Sequence, residues 1–281
     1  MGFVEVDTPY SRVILEKRTI DKREALTMRT GFFGIQSAIF LEGEDDLVLE
    51  STKYYRLGQH FNPQVSRALM IGGGGFSFPK DFLKRHPEAL LDVIEIDPGI
   101  TELAGKYFKL EVNPRLNIRH LDGRVFLDTN REIYDIVYID AFQSDYSIPY
   151  QLTTHEAVKE LFSALNDDGV VIANIISAIE GPAGKFLRAE LSTYKAVFPQ
   201  VFLFPIGDAN DGSRVQNIIL VALKSPQKPS FESQDRELSL YLTHLWTKEI
   251  PDDMPFLTDD FAPVDQYVIE VIKKKVKSTS S

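Results

Sequence analysis

The chain has 281 residues, with 31 Lys and Arg against 41 Asp and Glu and a formal net charge of -10. That balance argues against a protein whose main partner is nucleic acid, because binding a phosphate backbone rests on Lys and Arg. It is compatible with a cationic substrate, which an acidic surface attracts. Cysteine is absent, which excludes disulfides, thiol nucleophiles and Cys-ligated zinc.

The five His residues (60, 86, 120, 155 and 244) are scattered without metal-ligand spacing, so no metal is expected. No apolar run approaches the roughly 20 residues a membrane helix needs, so no membrane partner is expected. The N-terminus lacks the charged and apolar regions of a signal peptide, and the expected location is the cytoplasm.

In chain order, residues 11–17, 25–29 and 36–41 are rich in β-branched and aromatic residues and are punctuated by Gly31, Gly34 and Gly43. They predict a small antiparallel sheet of hairpins. Residues 52–61 predict a short helix stopped by Asn62-Pro63. From residue 68 onward, apolar strands alternate with helices. Strands are predicted at 68–72, 91–96, 116–121, 133–139 and 169–176, and helices at 79–85, 98–108, 124–128, 153–165 and 182–198. Two closing strands, 201–205 and 217–222, lie near enough in sequence to pair antiparallel. Alternation of this kind implies βαβ units and a mostly parallel sheet covered on both faces. A polar, Pro/Ser-rich connector at 224–236 leads to helices at 237–247 and 266–276. The expected organisation is an N-terminal β-hairpin domain (1–62), a Rossmann-like nucleoside-binding catalytic domain (63–225) and a C-terminal helical extension (226–281). The seven-stranded pattern fits the methyltransferase-type variant of the doubly wound sheet.

Four sites at predicted strand ends carry chemistry. Gly72, Gly73, Gly74 and Gly75 follow the first parallel strand and precede a helix. Glycine permits a sharp turn and close approach to a ligand, and the helix behind offers free N–H groups; the competing reading is a tight βα turn. Glu95 ends the next strand about twenty residues on, where an acid accepts hydrogen bonds from ribose hydroxyls. Asp97 is read as the cap of the helix at Pro98. Asp122-Gly123 follows the third strand, where Asp122 either accepts from an adenine amino group or caps the next helix. Asp140 ends the fourth strand, placed to hold a reacting centre by charge or to accept a proton from a nucleophile.

These segments (LMIGGGG, VIEIDPGI, HLDGRVF, YDIVYIDAF and LNDDGVVIAN) taken in order resemble the spermidine synthase family, the polyamine aminopropyltransferases. The resemblance implies a small N-terminal β domain on a Rossmann-like S-adenosylmethionine-dependent methyltransferase fold. It also implies Glu95 on ribose, Asp122-Gly123 on adenine and Asp140 as the acid that takes the amine's proton. Gln36 and Tyr54 match the family's N-terminal glutamine and the tyrosine lining its acceptor pocket, and a homodimer is implied. Two positions depart from the pattern. Gly75 and Gln143 stand where the family has acids that help hold amines.

The expected activity is aminopropyl transfer from decarboxylated S-adenosylmethionine, a co-substrate rather than a permanent cofactor, to a small-molecule acceptor such as a polyamine. The alternatives are methyl transfer from S-adenosylmethionine to another acceptor and a non-catalytic nucleoside-binding relative. An NAD-dependent oxidoreductase is disfavoured, because Ser77 takes the place of the third glycine of the dinucleotide fingerprint.

Overall fold

The computed structural model describes residues 3–31, 34–43, 46–141 and 149–279. At its N-terminal end, β1 (Phe3–Asp7), β2 (Arg12–Ile20), β3 (Arg23–Arg29) and β4 (Ser37–Phe40) form an antiparallel sheet in that order. β2 to β4 match the hairpins read from the sequence. β1 does not appear in that reading, and it pairs along its length with β2.

The single helix expected at 52–61 is two, α1 (Glu50–Tyr54) and α2 (Leu57–Phe61). Between them the amides of Tyr55 and Arg56 reach back three residues, to Thr52 and Lys53, rather than four. That tighter turn re-aims the chain. Arg56 then forms a buried pair with Asp81, its Nε and Nη2 donating at 3.0 and 2.7 Å, and also reaches Glu237. Breaking such a pair strands a buried charge, so Arg56 clamps this segment between the flanking helices.

The second sheet follows through β5 (Arg67–Ile71), α3 (Ser77–Arg85), β6 (Leu90–Ile94), α4 (Pro98–Tyr107), β7 (Leu116–Arg119), α5 (Gly123–Thr129), β8 (Tyr134–Ile139), α6 (His155–Ser163), β9 (Leu165–Ser177), α7 (Lys185–Lys195), β10 (Gln200–Pro205) and β11 (Gln216–Leu223). The strand order is β10-β11-β9-β8-β5-β6-β7. The five strands from β5 to β9 are parallel, and β11 runs antiparallel to both β9 and β10. The central strands are largely apolar on both sides because both faces are covered. In β5, Ala68 and Met70 join the core on one face while Leu69 and Ile71 join the core on the other. Leu69, Met70 and Ile71, each buried, contribute about 1.5–3 kcal/mol apiece. The chain closes with α8 (Arg236–Leu242) and α9 (Val264–Thr279), the latter packed on α7. Among the described residues, no helix is long and apolar enough to cross a membrane.

Candidate active site

The strand order reverses between β5 and β8, and crevices of this kind, beyond the carboxyl ends of strands, are where open α/β sheets take ligands. The ends of three strands are held level there. Gly72 donates to the Ile94 carbonyl at 2.8 Å, and Asp140 to the Ile71 carbonyl at 3.0 Å. The glycine loop, Glu95 and Asp140 therefore open into one cavity of about 700 Å³.

Gly72 has φ +94°, and a Cβ there would lie 2.3 Å from the Asp140 carbonyl oxygen. Both the turn and the close strand approach require glycine. Gly72→Ala is expected to destabilise the protein by more than about 1 kcal/mol, measured as a lowered urea midpoint; an unchanged midpoint would contradict this reading of the loop.

Glu95 is buried, with its carboxylate turned onto the loop. Oε2 accepts from the amides of Gly73 and Gly74 at 2.8 and 3.2 Å, and Oε1 from the amide of Asp97 at 3.0 Å. Burial raises its pKa, and these three N–H bonds oppose the rise. Asp97 caps α4, accepting from Gly99 N at 2.9 Å, and its other oxygen accepts from the Thr8 hydroxyl of the N-terminal sheet. Asp122 caps α5 through Oδ1, which accepts from Arg124 N at 2.8 Å and Val125 N at 3.1 Å. Among the described residues its Oδ2 has one long contact, 3.5 Å from Gln151 Nε2, and the residue lines the cavity beside Gly123. The cap and a ligand contact are thus compatible at Asp122, one on each oxygen.

Asp140 sits at the cavity wall. Asn174 Nδ2 donates to its Oδ1 at 3.0 Å, and Asn217 Nδ2 donates to Asn174 Oδ1 at 3.0 Å. Burial raises the carboxyl's pKa, while Asn174 and Tyr55 pull it down. Tyr55 is 1% exposed and its hydroxyl makes no full hydrogen bond among the described residues. Burial and then the Asp140 charge push that hydroxyl's pKa upward.

Several sequence expectations land differently. Gln36 lines the cavity, whereas Tyr54 does not. Tyr54 ends α1 and stacks on Tyr241 with ring centroids 4.2 Å apart, and the next residue, Tyr55, is the one that turns to Asp140. Successive helical residues point about 100° apart, so a one-residue difference chooses a different partner. Gly73 and Gly74 line the cavity with Gly72, but Gly75 stands behind them, its amide donating to Ser37 Oγ at 2.8 Å. A Cβ at Gly75 would meet Phe108 Cδ1 at 2.7 Å and Ser37 Cβ at 2.9 Å. An acid there would therefore have to displace packed neighbours. Gln143 lies outside the described residues. Sequence reasoning missed Tyr55, Asn174 and Asn217. The legible signal was Asn174, a polar residue inside the apolar run GVVIANII. Among the described residues, no group of three or more His, Asp or Glu is placed to hold a metal ion.

The fold is Rossmann-like, of the S-adenosylmethionine-dependent methyltransferase type, with an extra N-terminal sheet. Residues 52–205 match the model of the spermine/spermidine synthase domain, and the chain belongs to that family of transferases. A polyamine aminopropyltransferase of Vibrio vulnificus is 29% identical over 221 residues, covering 74% of this chain and 72% of that protein. The crystal structure of a probable spermidine synthase from Corynebacterium glutamicum superposes with TM-score 0.69 at 21% identity, over 89% of each chain. Human methyltransferase-like protein 13, solved in complex with SAH, superposes with TM-score 0.52 at 23% identity, over 73% of this chain and 92% of that one.

Proposed function

We propose that this protein transfers an aminopropyl group from decarboxylated S-adenosylmethionine to an amine acceptor of the polyamine class. The observation that carries the reading is a carboxylate, Asp140, held by an amide at the wall of the same cavity that Glu95 and the glycine loop enter. Glu95 accepts from the ribose hydroxyls and Asp122 Oδ2 from the adenine amino group. This places the donor's sulfonium near Asp140. The acceptor's ammonium gives a proton to Asp140, the freed nitrogen lone pair attacks the carbon next to sulfur, the C–S bond breaks, and methylthioadenosine leaves with the bonding pair. Gln36 faces the acceptor, while Tyr55, buried outside the cavity lining, acts on Asp140. The division into residues 1–62, 63–225 and 226–281 belongs to the same reading, with the first part closing the cavity over the second.

A second reading, methyl transfer from S-adenosylmethionine itself, is favoured by Gly75. Position 75 carries no acid, and a Cβ there would meet Phe108 and Ser37, so the loop adds no negative charge at this position against the carboxylate of an ordinary donor. Calorimetric titration separates the two. Preference for decarboxylated S-adenosylmethionine over the carboxylated form supports aminopropyl transfer, and the reverse order supports methyl transfer.

Asp122→Ala tests the adenine end. Losing the cap is expected to cost about 1 kcal/mol of stability without ligand. If Oδ2 also meets adenine, the thermal stabilisation by methylthioadenosine shrinks as well. A lowered melting temperature with an undiminished ligand shift would leave Asp122 a cap and nothing more.

A further inference from the structure

We infer that Asn217 is a positioning residue for the proton-accepting carboxylate, acting through Asn174. This rests on the reading of Asp140 as the base. Three side chains form a line across three neighbouring strands. Asn217 on β11 donates to Asn174 Oδ1, and Asn174 on β9 donates to Asp140 Oδ1 at the end of β8, each at 3.0 Å. A carboxylate accepts but does not donate when ionised, so Asn174 serves Asp140 only with its Nδ2 toward it. That orientation turns its Oδ1 the other way, and Asn217 fills that oxygen with a donor. The contact thus selects one of the two amide orientations of Asn174. The wrong orientation would set a carbonyl dipole against the Asp140 charge.

Asn217 is held in turn by its neighbourhood. Its carbonyl accepts from Ile206 N at 3.0 Å, and beside it Gln216 pins the preceding loop, accepting from Gly207 N and Asp208 N at 2.9 and 2.7 Å. Asn217 is only partly buried and lines the cavity, so replacing it does not open the core. The titratable group facing Asp140 among the described residues is Tyr55, from the α1–α2 turn. Burial and the Asp140 charge hold its hydroxyl neutral, so it does not titrate with Asp140. Hydrogen bonding to the charged form of an acid favours that form. Loss of the oriented amide therefore raises the pH at which Asp140 ionises.

The test is the pH profile of kcat/KM with decarboxylated S-adenosylmethionine and a diamine. Asn217→Leu removes the donor. Asn217→Asp keeps the shape but offers an acceptor, which draws Nδ2 of Asn174 away from Asp140. Both are expected to move the acidic limb to higher pH, the Asp variant by about one unit, a tenfold loss below the limb. In an Asn174→Leu background, Asn217→Leu is expected to add nothing, because its effect passes through that amide. An unmoved limb in the folded Asp variant, or additive losses in the double variant, would overturn the inference. Asp140→Asn is measured alongside. If it retains near-normal turnover, it is the reading of Asp140 as base that fails, whatever Asn217 does.

Discussion

Asp140→Asn is expected to lower turnover at least ~100-fold, the lower scale of general acid–base catalysis, while binding of methylthioadenosine changes little. The physical reason lies in the acceptor. A free alkylamine has a reference pKa near ~10.4 by analogy with lysine, so at neutral pH its nitrogen is mostly protonated and cannot attack. A group at the cavity wall must take that proton. Asp140 is suited to it because burial raises its pKa, with Asn174 and Tyr55 opposing the rise. The sign of the pH dependence follows. Below the raised pKa the carboxyl is protonated and cannot accept, so the rate climbs as pH rises through it. Asn keeps the shape and the place of Asn174's partner but has no basicity at any pH. Product formation with a panel of diamines measures the loss. Near-normal turnover in the Asn variant would remove Asp140 as the base.

Glu95→Gln is expected to weaken methylthioadenosine binding by about 1.5–3 kcal/mol, the range for hydrogen bonds to a charged group, or roughly tenfold to a hundredfold in Kd. The carboxylate accepts from three backbone amides, of Gly73, Gly74 and Asp97. An amide side chain replaces one accepting oxygen by an NH2 group, which faces those N–H groups donor to donor. The substitution therefore loosens the glycine loop as well as the proposed ribose contact, and the melting temperature without ligand should fall too. Calorimetry on the folded variant reads the binding loss. Unchanged affinity would take Glu95 out of the nucleoside site.

Periodicity made the parallel sheet legible because both its faces are buried. Runs such as ALMIG and GVVIANII admit little but a covered strand, and the closing pair 201–205 and 217–222 falls within β10 and β11. The places of Glu95 and Asp140 on the cavity wall were legible because each ends such a run. Tyr55 was not legible, because its direction depends on a turn that tightens from four-residue to three-residue hydrogen bonds, and adjacent tyrosines carry no mark of that phase. Asn217 was illegible for a different reason. Its partner Asn174 is 43 residues away in the chain, and only the antiparallel register of β11 against β9 brings the two together. Gly75 read as a loop glycine among four, but its place behind the loop depends on Phe108 and Ser37, which come from distant elements.

The most direct test of a transferase in this cavity is to incubate the protein with decarboxylated S-adenosylmethionine and a panel of diamines and to follow both products by mass spectrometry. Methylthioadenosine and an acceptor heavier by one aminopropyl group should appear in equal amounts, and both should form at least ~100-fold more slowly with Asp140→Asn. Tight nucleoside binding without either product, across the whole panel, would contradict aminopropyl transfer to this class of amine.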